Sequence, residues 1–139
     1  MKKRKLGKSG LEVSEIGLGC WQLGGDFGAV DDHRAAQTLA EADLNGINFW
    51  DTADVYGGGL SEQRIAGFRD VVETDVIVAT KVGRDGALYP DKYTKETVRA
   101  NLQGSLERLK VESLDLAQLH CVPSEVLQAG DILAWMEDF

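Results

Sequence analysis

The chain has 139 residues, 43% of them hydrophobic and 27% charged, with only two prolines, the composition of one ordinary folded domain and not of a disordered segment. Its formal charge is −8, and the first ten residues hold five of the fifteen basic side chains and no acid, so the rest is strongly acidic, which argues against nucleic acid as the main partner. No apolar run approaches the ~18 residues of a membrane span, the basic start lacks the apolar stretch of a secretory signal, and the two cysteines and two histidines never fall at zinc spacing, so a cytoplasmic protein without metal is expected.

Residues 2–13 predict a small hairpin, because the lysine-rich run 2–6 and the run 11–13 flank the turn Gly7-Lys8-Ser9-Gly10. The lysines suit a solvated edge strand. A short strand over 15–19 follows, then Cys20-Trp21 and the Gly24-Gly25 loop. Asp31 and Asp32 favour a helix start, and Ala35, Leu39 and Ala42 keep a period of 3.6 up to a stop at Gly46. A strand over 47–50 leads into the stretch NFWDTADVYGGG, residues 48–59, around which the chain is organised.

Asp51 and, five residues on, Tyr56 stand on a loop just past a strand, where function concentrates, and three glycines then permit positive φ and close approach to the backbone. Taken alone, Asp51 could cap Thr52, and Tyr56 could pack as an ordinary aromatic. Ser61 and Glu62 open a second helix to about Phe68. The β-branched run 76–80 reads as a strand buried on both faces, with Lys81 at its C-terminal end. The loop 83–93 has Gly and Pro breakers, and Thr94 caps a helix carrying Val98, Leu102, Leu106 and Leu109 on one stripe. Gly104 inside that helix costs about 1 kcal/mol against Ala, which predicts close packing of helix on strand. A fourth strand over 113–119 delivers His120, and Pro123 and Ser124 start a fourth helix.

Strands that alternate with helices at this spacing predict an α/β fold with a parallel sheet. No GxGxxG follows the first strand, which argues against a dinucleotide-binding doubly wound sheet. Asp51, Tyr56, Lys81 and His120 all follow strand C-terminal ends, which share one face of a parallel sheet or barrel, the face where active sites lie. Each has a plain explanation alone: Lys81 could snorkel, His120 could be satisfied under a loop, and Trp21 could cover the core. Together they form a working set. A phenol near its ordinary pKa of about 10 is a poor proton donor at neutral pH, a neighbouring ammonium favours the phenolate, and a carboxylate holds that ammonium in place. With His120 donating to a substrate oxygen and a hydride source beside it, Tyr56 would protonate a carbonyl oxygen as hydride reached the carbon.

These residues carry a resemblance. From LGKSGLEVSEIGLGCWQLGG to LDLAQLHCVP, and most specifically in DTADVYGGGLSE and ATKVG, the sequence resembles the aldo/keto reductase family. The family's Asp, Tyr, Lys and His tetrad matches Asp51, Tyr56, Lys81 and His120, the Asp-to-Tyr interval of five included. The resemblance implies a TIM barrel, bound NADPH and reduction of an aldehyde or ketone to an alcohol. It also implies that Cys20, Trp21 and Asp51 line the nicotinamide end. A complete barrel needs about 250 residues, so the chain is expected to supply four of eight βα units after an N-terminal hairpin, as a half-barrel spanning 1–139. It ends within the amphipathic pattern of Ile132, Trp135, Met136 and Phe139, which predicts truncation inside the fourth helix. The later strands, which in this family hold the nicotinamide-stacking aromatic and the cations for the adenosine 2′-phosphate, have no counterpart. Two alternatives remain at this point: a non-catalytic half-barrel that serves as a binding or interaction module, and a fragment of the full enzyme. The open edges near Ile16 and Leu116 predict self-association.

Overall fold

Four short strands run parallel in sequential order: β3 (Leu18–Gly19), β4 (Phe49–Asp51), β5 (Ile77–Val82) and β6 (Leu116–Leu119). They are preceded by an antiparallel hairpin of β1 (Lys3–Lys5) and β2 (Glu12–Ser14), with Lys3 opposite Ser14. The computed structural model describes residues 1–72 and 74–139. Between the strands run α1 (Asp32–Leu44), α2 (Leu60–Arg69) and α3 (Lys95–Leu109), and α4 (Ser124–Ala129) and α5 (Asp131–Asp138) follow β6.

Register decides which side chains meet the helices. Trp50 pairs with Val78, Thr80 with Ala117 and Val82 with Leu119, so these residues share one face. On that face Trp50 and Val78 pack with Ala35 and Leu39 of α1, Ile65 and Phe68 of α2 and Leu109 of α3. A second cluster joins Val82 to Val98 and Leu102 of α3 and Ile132 of α5. Burying the large side chains among them stabilises by roughly 1.5–3 kcal/mol each before conformational entropy is subtracted. The alternate positions point to the other face; Ala79 among them is buried, whereas Phe49, Asp51, Ile77, Lys81, Leu116 and Gln118 are only half-buried.

The helices start and stop where the residues dictate. Asp31 accepts from the Arg34 amide at 2.7 Å, and Thr94 closes a reciprocal capping box with Thr97. The hairpin is fastened to the N-terminal end of the sheet by Asn48, whose Oδ1 accepts from the Ser14 amide at 2.7 Å and whose amide nitrogen donates to the Glu12 carbonyl at 3.0 Å. It therefore closes the end opposite the strand termini that carry the candidate site.

Two details differ from expectation. The fourth helix is two, because Gly130 at φ 85 takes the left-handed conformation that ends α4 and turns the chain into α5. The space beside Gly104 is filled by the Arg108 guanidinium and not by a strand: a Cβ there would lie 2.9 Å from Nη1.

Candidate active site

Parallel pairing continues past the strand ends and fixes the loops that follow. The Cys20 amide donates to the Asp51 carbonyl at 2.8 Å, the Thr52 amide to the Ala79 carbonyl at 2.8 Å, and the His120 amide to the Val82 carbonyl at 2.8 Å. Asp51 and Lys81 stand on adjacent strands and face away from the helices. Lys81 Nζ donates to Asp51 Oδ1 at 2.5 Å, to the Thr52 carbonyl at 2.7 Å and to the Tyr56 hydroxyl at 3.2 Å. All three ammonium donors are thereby directed, and one of them points at the phenol.

Tyr56 begins a short 3-10 turn, Tyr56–Gly59, and its ring is enclosed by two others. Trp21 stacks on it with centroids 5.5 Å apart and planes 17° apart. His120 meets it edge-on at 5.9 Å and 87°. Tyr56 keeps 8% of its surface exposed, whereas Trp21 keeps 41%. The sequence-predicted Asp51, Tyr56, Lys81 and His120 thus converge at one end of the sheet with Trp21 as the exposed cover.

Cys20 does not join them. It is fully buried in the cluster under α1 and α2, and its thiol lies 3.7 Å from the Leu18 carbonyl. Burial pushes the thiol pKa up to about 12, Asp51 adds to the rise and Lys81 opposes it. With no exposed surface, Cys20 supports the loop that carries Trp21 from below. His120 is shifted the other way. Burial, then Lys81 and Arg84, hold its imidazole below the ordinary histidine range, against the pull of Asp51. Its Nδ1 is buried without a hydrogen-bond partner. A buried lone pair costs less than a buried N–H, so the neutral ring carries its proton on Nε2.

The sequence reading missed the residues that hold this end in place. The first turn of α2 binds three consecutive strand termini. Ser61 Oγ donates to the Cys20 carbonyl at 2.7 Å and accepts from Thr52 Oγ1 at 2.9 Å. Glu62, fully buried, accepts from Thr80 Oγ1 at 2.5 Å and from Arg108 Nε at 2.6 Å. Arg64 clamps the loop carrying Trp21 by donating to the carbonyls of Leu23 at 2.6 Å and Val30 at 2.7 Å. The glycines after Tyr56 serve this packing: Gly57, at φ 61, lies so close that a Cβ would sit 2.2 Å from the Gly24 carbonyl oxygen. The close approach allowed by the glycine run is thus made by the chain's own backbone. Ser61 and Glu62 were legible only as a helix start, because their partners lie far off in the chain.

A parallel α/β sheet thus carries a Lys–Asp pair, a phenol and an imidazole at its C-terminal end. Residues 15–138 match the profile of the aldo/keto reductase family, and the chain belongs to that family. It is 43% identical over 121 residues to an L-galactose dehydrogenase of Arabidopsis thaliana, a match covering 85% of this chain and 37% of that protein. It is 42% identical over 128 residues to the uncharacterized oxidoreductase YqkF of Bacillus subtilis, covering 86% and 39%. Among solved structures it resembles the holo form of aldo-keto reductase AKR11C1 from Bacillus halodurans, with TM-score 0.73, 38% identity, and coverage of 86% of this chain and 40% of that one. A putative aldo-keto reductase from Pseudomonas aeruginosa superposes with TM-score 0.85 and 30% identity, covering 98% and 53%. The chain spans about two fifths of the length of the curated relatives it matches.

Proposed function

We propose that the chain is the first half of an NADPH-dependent aldo/keto reductase barrel and carries its proton-transfer residues: Tyr56 as proton donor, Lys81 and Asp51 as the pair that tunes it, and His120 as the group orienting the carbonyl oxygen. The observation that carries this reading is the threefold contact of Lys81 Nζ with Asp51, the Thr52 carbonyl and the Tyr56 hydroxyl. A bound reduced nicotinamide would supply hydride to the carbonyl carbon. The chain's own part is the proton. Tyr56 gives it to the developing alkoxide, and the ammonium 3.2 Å away stabilises the phenolate left behind. Asp51 fixes the ammonium. Neutral His120 offers Nε2–H to the same oxygen, so the carbonyl is oriented before transfer.

The donor set fits the nicotinamide end. Asp51 keeps 41% of its side chain exposed while one oxygen holds Lys81, and Trp21 offers an exposed indole beside Tyr56. The described residues form four of the eight βα units of a barrel, and we therefore expect this 139-residue chain to bind NADPH weakly and to reduce carbonyls slowly. The test is oxidation of NADPH with a panel of small aldehydes, together with fluorescence titration of the cofactor. Aldehyde-dependent oxidation lost in Tyr56→Phe supports the assignment, oxidation that persists in that variant contradicts it, and micromolar NADPH binding by the chain alone contradicts the half-site reading.

The face opposite the helices favours association of the isolated chain. It presents Phe49, Ile77 and Leu116, and a groove of about 460 Å³ between the hairpin and the edge of β3 is lined by charged Arg4, Lys5, Glu15 and Asp51 as well as by Val13 and Phe49. Unpaired parallel edges recruit strands, and a two-fold dimer is the commonest closed arrangement. Sedimentation should show a dimer or larger species, and a monomer at high concentration would contradict this.

A further inference from the structure

Residues 25–28 close a tight turn beside the candidate site. The Gly28 amide donates to the Gly25 carbonyl at 3.2 Å, and the two glycines hold positive φ, 128° and 85°. The turn is fastened to its surroundings. Asp26 Oδ2 accepts from the Gly57 amide at 3.1 Å, and Arg64 holds the carbonyls of Leu23 before the turn and Val30 after it. Phe27, at the tip, is left 69% exposed and belongs to neither apolar cluster of the core. The fold therefore fixes where this ring stands without burying it.

The ring is not an isolated surface residue. It meets Trp21 edge-on, with centroids 4.7 Å apart and planes 69° apart, and Trp21 in turn stacks on Tyr56, which meets His120. The rings run in one row outward from the imidazole and the phenol, each step at the spacing of a favourable aromatic pair. Tyr56, inside, keeps 8% of its surface exposed, whereas Trp21 and Phe27 are open to solvent. Steeply inclined to each other, these two make a corner. Gln22 beside them turns its amide back onto the Gly19 carbonyl at 2.8 Å, so its polar end is used within the loop. Two apolar walls at such an angle suit a flat ring, stacked on one and edge-on to the other. Aromatic walls next to a few convergent polar groups are the usual make-up of a small-molecule site.

We propose that Phe27 is a specificity-determining residue: with Trp21 it takes the flat apolar substituent of an aryl aldehyde or ketone whose carbonyl oxygen lies at Tyr56. The geometry sets the size. Two ring-to-ring steps separate Tyr56 from Phe27, so a fused two-ring substituent reaches the corner from the carbonyl, while a short aliphatic one stops at Trp21. A polyhydroxy substituent gives up water at the two walls, and the rings offer its hydroxyls no comparable hydrogen bond in return. The inference rests on the reading of Tyr56 as proton donor for the place of the carbonyl. Its test reads binding at the corner and not turnover, so each can fail without the other.

The experiment is an NMR titration of the 139-residue chain, with carbon-13 in Phe and Tyr and nitrogen-15 in Trp, by naphthylmethanol. This is the alcohol form of such a substrate, and it cannot form imines with lysines. The ring resonances of Phe27 and Tyr56 and the indole resonance of Trp21 are expected to move along one saturation curve. Glycerol over the same range should leave them in place. Phe27→Ser should weaken binding at least ~10-fold, and Phe27→Tyr, which keeps the ring, should stay within about twofold of the wild type. Because Phe27 is exposed, its replacement should leave the thermal midpoint nearly unchanged, which separates lost binding from lost folding. A shift that is absent or does not saturate, a Tyr56 ring that does not follow Phe27, an equal response to glycerol, or full affinity in Phe27→Ser would overturn the proposal. The wild-type titration decides the question even if a variant fails to fold.

Discussion

Asp51 meets Lys81 at 2.5 Å and Glu62 meets Arg108 at 2.6 Å, yet the two pairs occupy opposite sides of the same sheet. The Asp51 side chain is 41% exposed and that of Lys81 14%, at the open end beside Tyr56. The Glu62 side chain is 0% exposed, sealed between β5, α2 and α3. Both Glu62 oxygens are satisfied within the fold, by Thr80 and by Arg108, and with no exposed surface that carboxylate is out of reach of a ligand. The Asp51 pair is instead partly open to solvent and shares its ammonium with a phenol. The contrast separates structural from chemical use of the same ionic contact. Burial on the helix side makes a pair that organises, and exposure at the strand ends makes one that is available.

The sharpest way to break this contrast is Arg108→Met, which leaves the Glu62 carboxylate buried without its cation. It should lower unfolding free energy by about 3–5 kcal/mol, measured by urea denaturation. A loss below about 1 kcal/mol would mean that water reaches Glu62. Thr80→Val deletes the other Glu62 contact at nearly constant shape, so the loss should be smaller, about 1–2 kcal/mol in the same assay. Lys81→Met acts on the exposed pair. Its cost to stability should be about 1 kcal/mol or less, while any NADPH-dependent carbonyl turnover should fall at least ~100-fold. The smallest effect belongs to His120→Gln. Because the folded state holds the imidazole below its ordinary range, the unfolded chain takes up the proton first. Stability from His120 is therefore complete above about pH 6.5 and lost as pH falls below it. Asp54, shifted upward by burial, acts with the opposite sign between about pH 4 and 6, so thermal melts are best compared in an Asp54→Asn background. There, replacing His120 with Gln should flatten the remaining rise of stability between pH 5 and 7.

The order and direction of the strands were legible because each β-branched or apolar run sits between helix signals, and an alternation of that kind admits few topologies. The convergence of Asp51, Tyr56, Lys81 and His120 followed from their places just past strand ends. Boundaries shifted: the pairing of β4 extends to Asp51 and that of β5 to Val82, because ladders are set by the neighbouring strand and not by local composition. The burial of Cys20 was not legible, because two residues of strand followed by a turn give no alternation from which to tell inside from outside. Glu62 looked like an ordinary acid in the first turn of a helix. Its burial is explained only by Thr80 and Arg108, which no local pattern connects to it.

The first turn of α2 also constrains the order in which the chain becomes native. Ser61 reaches back 41 residues to Cys20, and Glu62 reaches forward 18 residues to Thr80 and 46 to Arg108. As the chain leaves the ribosome, the earlier contacts form first, but the Glu62 carboxylate stays without its cation until most of α3 has emerged. Until then, water remains its better environment, and the turn has reason to stay loose. The smallest stretch able to close as a unit is therefore not one strand and its helix but the chain through Arg108. Nascent chains released short of that point should remain protease-sensitive around Tyr56, and the protection should arrive in one step.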